Sequence, residues 1–371
     1  NTLNVDLKCI LPRNNLQQDL HNTFSGYGSE SYENRHNDVT WNRENVEAVV
    51  AYRHVIRPDV SDVSVRGSVS KIWGHRPSYY FLEGVQTAYS ESGGSPFIAS
   101  VQADFKQKFK AGMLTAGAKL TYRSNDIYHQ FYEGGEYSDA FSNDLLHTEL
   151  IPAAYVLFSS KIGKKFTYKA GLRGEFSTVT LTSSHEGLDV RNNDFFVSPS
   201  LSGTLRLAEN QDLSLAFSRR VGRPAYPQLN PYMSMVDATT YEQGNMHLRP
   251  EKSSKLDLSY NFKSRKVQIF ADAYMNYTTD YISQITKISD GLLITTYING
   301  TSDLKTGADL SLKLLPAKWM SATLSANTFY VNTKGNFEGA DIDNRGVSNN
   351  SNILLDFLPG KSTDIQLQYF L

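Results

Sequence analysis

The sequence predicts an all-β fold, specifically a transmembrane antiparallel β-barrel with short turns at one end and long loops at the other. Three observations lead to this prediction. The chain contains 22 Tyr and 19 Phe, and aromatic residues of this kind favour strands. Apolar and polar residues alternate over stretches of roughly ten residues. Short and long connections then alternate between these stretches along the chain.

The alternating stretches identify the individual strands. A period of two gives a strand one apolar face and one polar face. Strands of soluble proteins average roughly five or six residues, whereas a strand that crosses a membrane needs about ten. The clearest examples of the longer kind are residues 166–177, 255–262, 308–314 and 364–369.

Composition excludes several other classes of protein. Charged residues make up 20% of the chain and the net charge is −1, which gives no indication of a nucleic-acid partner. The single Cys9 excludes an internal disulfide. The longest uninterrupted apolar run, residues 153–158, is too short for a membrane helix. The mean hydropathy of −0.40 is compatible with a barrel, because lipid-facing and lumen-facing residues average out along each strand.

The connections fall into two sets. The sequence predicts short turns at 106–113, 160–166, 208–212, 262–267, 315–319 and 358–362. It predicts longer polar loops at 124–146, 179–194, 221–252, 287–291 and 333–345. This asymmetry is typical of outer-membrane barrels, which have short periplasmic turns and long extracellular loops. The strands that would then run in one direction are 113–123, 165–178, 211–220, 266–286, 319–332 and 362–371.

The first part of the chain is less regular. Strands are expected near 3–11, 44–56, 61–71 and 79–89, with a polar loop at 26–43, but this arrangement does not give alternating strand directions. We therefore predict a single β-barrel domain over 1–371, in which 1–96 is the less regular part of the same barrel. The sequence opens and closes within strand-like patterns, so we expect it to be a piece of a longer chain.

Catalytic and metal-binding motifs do not emerge from the sequence. It has no Gly-x-Ser-x-Gly, His-Glu-x-x-His or phosphate-loop pattern. Residues 341–346 resemble the start of a calcium loop, but Arg345 occupies a ligand position and Asn352 stands where the bidentate Glu belongs. We expect no enzyme activity, no metal site and no cofactor.

One predicted loop, 124–146, is acidic and aromatic. Aromatic faces beside carboxylates suit sugars or a cationic ligand, although an ordinary acidic loop near the membrane interface explains the same composition. Polar strand residues such as Arg206, Asp257, Asp272 and Asp309 are expected to line a wet lumen. The candidate ligand-binding residues are Tyr128, Phe131, Tyr132 and Tyr137 in the loop, with Arg173 and Glu175 on the lumen wall.

A long central stretch carries a resemblance to a known family. Phe-Ser-Arg-Arg at 217–220 is followed by Arg223-Pro224, Leu229-Asn230-Pro231, Gly244-Asn245, Pro250-Glu251 and Leu258-Ser259-Tyr260. Residues 160–165 with 171–175 precede it, and 297–300 with 307–310 follow it. Together, over roughly 97–371, they resemble the outer-membrane β-barrel of Bacteroidetes TonB-dependent receptors. Met246 departs from the family, which usually has proline there.

The resemblance implies a function. Such receptors bind a scarce nutrient (a siderophore, glycan or peptide) at the cell surface and import it with energy relayed by a TonB-type protein. The family also has a plug domain and further C-terminal strands, which this sequence does not contain. The implied surroundings are the cell outer membrane and its lipid, an extracellular small or oligomeric ligand, and a surface lipoprotein as a further candidate partner.

By the same resemblance, a group of motif residues should hold the base of the long loop against the barrel rim through charge-assisted hydrogen bonds. These residues are Arg219, Arg220, Arg223, Pro224, Asn230, Pro231, Gly244, Asn245, Pro250 and Glu251.

Two alternatives remain open at this point. The first is a passive outer-membrane porin or surface adhesin without energy coupling. The second is a secreted carbohydrate-binding all-β protein, in which Leu172, Leu215, Leu258 and Leu312 would be buried between sheets.

Overall fold

Nearly every element of the computed structural model is a β-strand, and the model describes residues 1–26, 29–183, 187–235, 240–289, 291–360 and 363–370. In chain order the strands are β1 (Thr2–Ile10), β2 (Arg13–Gly26), β3 (Ser29–Arg57), β4 (Ser61–Leu82), β5 (Val85–Gly94), β6 (Phe97–Phe109), β7 (Gly112–Glu133), β8 (Glu136–Tyr137), β9 (Asn143–Ile162), β10 (Phe166–Ser183) and β11 (Leu188–Ala208). They continue as β12 (Gln211–Gly222), β13 (Met233–Met235), β14 (Thr240–Gln243), β15 (Glu251–Lys263), β16 (Val267–Thr279), β17 (Ile282–Ser289), β18 (Leu292–Asn299), β19 (Ser302–Ala317), β20 (Met320–Phe337), β21 (Ala340–Phe357) and β22 (Ile365–Phe370).

These strands form two sheets. Eighteen strands make one large sheet, in which all pairings are antiparallel, and β13, β14, β17 and β18 make a small separate sheet. The helical elements are a 3₁₀ turn at Asp139–Phe141 and α1 (Tyr226–Leu229). None of the helices in the described part of the chain has the length and apolar character needed to cross a bilayer.

In the first part of the chain, two long strands are each interrupted without a change of direction, and we call these interruptions collinear breaks. They explain why strands counted one by one from the sequence did not alternate in direction. Strands β1 and β2 both pair with β3, and β5 and β6 both pair with β4 and with β7. A proline stands at each break, where its missing N–H interrupts the ladder without changing the strand direction. The carbonyls of Pro12 and Pro96 still accept hydrogen bonds from Arg43 N at 3.2 Å and Ile72 N at 2.8 Å. With each collinear pair counted once, strand direction alternates throughout.

The prediction of a loop at 26–43 was wrong for residues 29–43, which the structure describes as strand. These residues belong to β3, which pairs with β2 from Ser29 to Asn42. Residues 27 and 28 lie outside the described part of the chain. The stretch is polar on both faces, so it carries no alternating pattern even though its backbone ladder is continuous.

The exposed face of the large sheet is apolar and the opposite face is polar. Along β10, Leu172 and Phe176 are exposed whereas Glu175 and Ser177 are buried. Leu172, Leu215 and Leu258 are 50%, 52% and 46% exposed and Leu312 is half-buried. None of the four is buried between sheets, which does not fit the secreted β-sandwich. An apolar exterior with a polar interior is the pattern expected when the solvent is lipid.

The short turns confirm the prediction for one end of the sheet. Only two or three residues connect β6 to β7, β9 to β10, β11 to β12, β15 to β16 and β19 to β20. All of these turns lie at the same end because the strand directions alternate. The connection 358–364 lies at this end too, and its residues 361 and 362 are outside the described part.

The long loops were predicted only in part. The connection 223–250 is long, as expected, but most of 124–146, 179–194 and 333–345 is strand. Strands β7, β9, β10, β11, β20 and β21 continue past the apolar band as hairpins. In these extensions polar residues stand on both faces, so the regular alternation of apolar and polar residues disappears although the ladder continues.

The predicted strand 266–286 was also wrong as a single element. It divides at Asp280, whose φ of 54° turns the chain from β16 into β17. Strand β16 pairs with β19 in the large sheet, whereas β17 pairs with β18 in the small one. The predicted loop 287–291 was wrong over 287–289, which belong to β17; residue 291 precedes β18, and residue 290 is outside the described part.

Candidate functional site

The long connection 223–250 is packed into the wall of the large sheet. Leu145 of β9 and Leu181 of β10 are fully buried, and Leu229 and Leu248 of the connection pack against them. Met246, the residue that departs from the family pattern, packs against the same cluster. Burying a leucine side chain contributes about 1.5–3 kcal/mol, so the base of this connection is anchored.

Backbone hydrogen bonds close the base of the connection. Gly244 N donates to Asn230 O at 2.7 Å, and Asn245 N donates to Gln228 O at 2.6 Å. A Cβ at Gly244 would lie 2.5 Å from Asn230 O and 2.6 Å from Pro227 O. Only glycine fits this position, because no side chain is compatible with backbone atoms at that distance.

Asn299 joins the connection 223–250 to the connection 280–301. Its Oδ1 accepts from Arg249 N at 2.8 Å, and its Nδ2 donates to Arg249 O at 2.9 Å and Asp280 O at 2.7 Å. Glu251 Oε1 accepts from Ile282 N at 2.7 Å. Asn299 lies in the family-like stretch 297–300, but no role was predicted for it from the sequence. Its position at the end of a strand could have indicated this role, because Asn side chains commonly form hydrogen bonds with backbone groups there.

A chain of five charged side chains crosses the inner wall where the connection begins. Arg223 Nη2 donates to Glu175 Oε1 at 2.7 Å, and Arg223 Nε lies 3.0 Å from Glu149 Oε1. The second contact is an ion pair without hydrogen-bond alignment. Arg123 Nη1 binds Glu149 Oε2 at 3.0 Å, and Arg173 Nε binds Glu175 Oε2 at 2.9 Å. Glu149 and Glu175 are 3% and 7% exposed, so neither charge would be tolerated without its partners.

Sequence reasoning missed Glu149 and Arg123. Glu149 lies on the buried face of β9 among Leu145, Ile151 and Ala153. A carboxylate two positions from Ile151 and four from Leu145 on the same face of an alternating strand was the signal, because a buried charge requires a partner.

The structure brings most of the motif residues together, but not all of them. Asn230, Gly244, Asn245 and Glu251 make the bonds described above, and Pro231 O accepts from Gln243 Nε2 at 2.8 Å. Pro224 and Pro250 line a cavity beside Arg223. The remaining two motif residues, Arg219 and Arg220, lie on opposite faces of β12. Arg219 lies on the exposed face with Leu215 and Phe217, and Arg220 lines a separate recess on the polar face.

The ligand-binding candidates of the acidic stretch do not form one surface. Phe131 is buried, with its ring 5.5 Å from that of Phe141 and 6.2 Å from that of Tyr80. Tyr128, Tyr132 and Tyr137 lie on the opposite face of β7 and β8. They were not separated at the sequence level because 124–146 was predicted to be a loop, whereas in strand β7 successive side chains point to opposite faces.

A cavity of about 260 Å³ lies between the inner wall and the anchored connection. Its walls include Asn125, Ser177 and Tyr226, whose Oδ1, Oγ and Oη atoms are buried without a hydrogen-bond partner among the described residues. Buried polar atoms of this kind are normally satisfied by water or a ligand. The cavity can therefore hold several waters or one small polar molecule. Over the described ranges, no three His, Cys, Asp or Glu side chains are grouped so that they could hold a metal.

The chain is similar to known outer-membrane proteins, both by a family sequence model and in fold. The sequence model of the "Outer membrane protein beta-barrel family" matches residues 76–371. No curated protein sequence matches the chain. Among solved structures, the ferric citrate transporter FecA in its unliganded form has a TM-score of 0.67 at 11% identity, with 96% of this chain and 57% of that chain covered.

Two further structures are similar. The ferric-catecholate import receptor Fiu from K12 E. coli has a TM-score of 0.58 at 10% identity, with 100% of this chain and 73% of that chain covered. The copper transporter OprC has a TM-score of 0.56 at 10% identity, with 99% and 76% covered. At this identity the likeness shows the fold alone, and it confirms the predicted outer-membrane β-barrel.

Proposed function

This chain belongs to the outer membrane protein beta-barrel family, and we propose that it forms the barrel of a TonB-dependent receptor that imports a scarce nutrient. The protein is located in the outer membrane. The proposed cargo is of the siderophore, glycan or peptide class, and the proposed role is transport rather than catalysis. The motif at 219–251 supports the subgroup found in Bacteroidetes.

One observation carries the proposal: a long connection is anchored to a polar inner wall by buried charges. The base of the connection is held by a network of charge pairs among Arg123, Glu149, Arg223, Glu175 and Arg173. This favours a receptor with a fixed binding surface over a passive pore. The network holds the start of the connection that leads into β13 and β14 of the small sheet. The partners of this proposal are a plug domain, a TonB-type protein, outer-membrane lipid and a surface lipoprotein.

The names of the similar structures agree with this role without fixing the cargo. Those proteins are an import receptor for ferric catecholates, a ferric citrate transporter and a copper transporter. The unsatisfied polar atoms of the 260 Å³ cavity are a candidate cargo subsite on this chain.

Uptake measurements in cells test the proposal. Strains with and without the protein, expressed in full from its own gene, would be supplied with labelled ferric siderophores, oligosaccharides and peptides. We expect one class to accumulate only when both the protein and the energy-coupling protein are present. Uptake that continues unchanged without energy coupling would support the passive porin instead. If none of the three classes depends on the protein, the transport assignment is wrong.

A further inference from the structure

Four tyrosines form a continuous row across neighbouring strands. Tyr79, Tyr89, Tyr132 and Tyr137 are directly paired on β4, β5, β7 and β8. Successive ring centroids are 5.0, 5.8 and 5.6 Å apart. Directly opposed residues share a face of the sheet, so the four rings make one surface.

This tyrosine row faces away from the lumen. Tyr79 has the same parity on β4 as Val65, Val69 and Trp73, which are exposed on the apolar outer face. The neighbouring Phe131 points the other way and is buried. The row therefore lies on the outside of the barrel wall, where imported cargo does not pass.

The row also lies beyond the bilayer. Trp73, with Lys71 Nζ 6.0 Å from its ring, marks the end of the apolar band on β4, as expected for an interfacial aromatic residue. Tyr79 is six positions further along the strand, which corresponds to about 20 Å of chain. At that height, outside the wall, the neighbours of an outer-membrane barrel are the sugar chains of the surrounding glycolipid.

Polar groups accompany the rings. Glu91 lies on the same face and accepts hydrogen bonds from Tyr89 Oη at 2.9 Å and Tyr128 Oη at 3.3 Å, with His75 Nε2 at 3.0 Å. Tyr79 and Tyr137 remain 40% and 51% exposed. Aromatic faces beside a carboxylate and phenol hydroxyls match a sugar, which has apolar C–H faces and a rim of hydroxyl groups.

We propose that the tyrosine row binds the saccharide chains of the glycolipid that surrounds the barrel in the outer leaflet. The row contains no Lys or Arg, so it does not suit the phosphate groups near the lipid. Its direction excludes a role in holding imported cargo. This surface tethers the extracellular hairpins to the cell-surface sugar layer and is independent of transport.

Binding of lipopolysaccharide to the purified protein in nanodiscs tests the proposal. The probes are smooth lipopolysaccharide, which carries its polysaccharide chain, and a deep-rough form that lacks it. We expect the double variant Tyr79→Ser/Tyr137→Ser to bind the smooth form about tenfold more weakly, a loss of about 1.4 kcal/mol, with no change for the deep-rough form. The variant Tyr79→Phe/Tyr137→Phe keeps the rings and should keep most of the affinity. Tyr32→Ser, at an exposed tyrosine of another hairpin, is the matched control.

Two results would overturn the proposal. One is equal binding of smooth lipopolysaccharide by the wild type and the serine variant. The other is an equal loss with both forms of lipopolysaccharide, which would place the contact at the lipid. Because the serine variant could fold poorly, the wild type is also tested by competition with the free polysaccharide chain. Absence of competition at high concentration would contradict saccharide binding without any mutation.

Discussion

At the scale of single residues, Arg223 is the side chain on which the base of the long connection depends. Its guanidinium reaches Glu175 and Glu149 on two different strands. A planar fork with several donors suits two carboxylates, and a lysine ammonium cannot reproduce that geometry. Its position beside the ring of Phe196, with the guanidinium carbon 6.0 Å from the centroid, adds a cation–π contact.

Removing the Arg223 guanidinium should loosen the connection. For Arg223→Met we expect residues 223–250 to open more easily by about 3 kcal/mol, because two buried carboxylates each lose a partner. Hydrogen–deuterium exchange in nanodiscs would measure the change. Arg206→Met is the control, since Arg206 is 61% exposed and its Nε lies 3.5 Å from Asp212 Oδ1. Unchanged exchange in Arg223→Met would show that the ion chain does not hold the loop.

His36 gives a residue-scale prediction about pH. Its Nδ1 lies 2.6 Å from Asp19 Oδ1 and its Nε2 lies 3.1 Å from Asp38 Oδ1. The hydrogen bond to Asp19, followed by the contacts with Asp38, raises the pKa of His36. The contact stabilises the β2–β3 hairpin fully below the ordinary pKa of about 6.5, and this contribution is lost as pH rises through the raised value.

An NMR titration of the His36 ring checks this prediction. We expect its midpoint above that of an unstructured histidine, and we expect Asp19→Asn to bring it down towards the ordinary value. A midpoint at or below 6.5 for His36 would contradict the role of the two aspartates.

At the scale of elements, Gly244 decides whether the two ends of the long connection can meet. A methyl group there would overlap the backbone of Asn230 and Pro227. Overpacking of this kind costs about 1–3 kcal/mol, and the bonds made by Gly244 N and Asn245 N would be displaced with it.

Gly244→Ala should therefore disorder α1 and the small sheet while the barrel strands remain folded. Hydrogen exchange should accelerate in 226–250 and 282–299, with β9 and β10 unaffected. The control is Gly67→Ala, because a Cβ at Gly67 meets no atom within 4 Å. If both alanine variants exchange alike, the close approach at Gly244 does not control the connection.

At the scale of the whole molecule, stability depends on which face of the wall a residue occupies. Leu215 and Ala216 are adjacent on β12, with Leu215 on the apolar outer face and Ala216 in a polar recess beside Asp257. We expect Leu215→Arg to destabilise the barrel in lipid by about 2–4 kcal/mol, because the charge would face hydrocarbon. Ala216→Arg should be tolerated. Denaturant titration of the protein folded into lipid vesicles measures both, and equal losses would contradict the assignment of the faces.

The features that could be predicted from the sequence are those that depend on residues close together in the chain. The alternation that identified β10, β15 and β19 depends on neighbouring residues alone, and the tight turns depend on a few more. The hairpin extensions of β7, β9, β20 and β21 were missed because polar residues on both of their faces leave no regular local pattern. The collinear breaks at Pro12 and Pro96 were missed because only the strand opposite shows that direction is unchanged.

By itself the sequence determined the fold class, the short-turn end, the long connection 223–250 and the family, since each is encoded in local periodicity or in one contiguous motif. The tertiary structure alone decided which side chains meet. Arg223 and Glu175 are 48 residues apart in the chain, and their contact depends on the register of several strands. The strand conformation of Gly112–Glu133, which was not predicted beyond residue 123, points Phe131 inward and the tyrosines beside it outward, because a strand sends successive side chains to opposite faces.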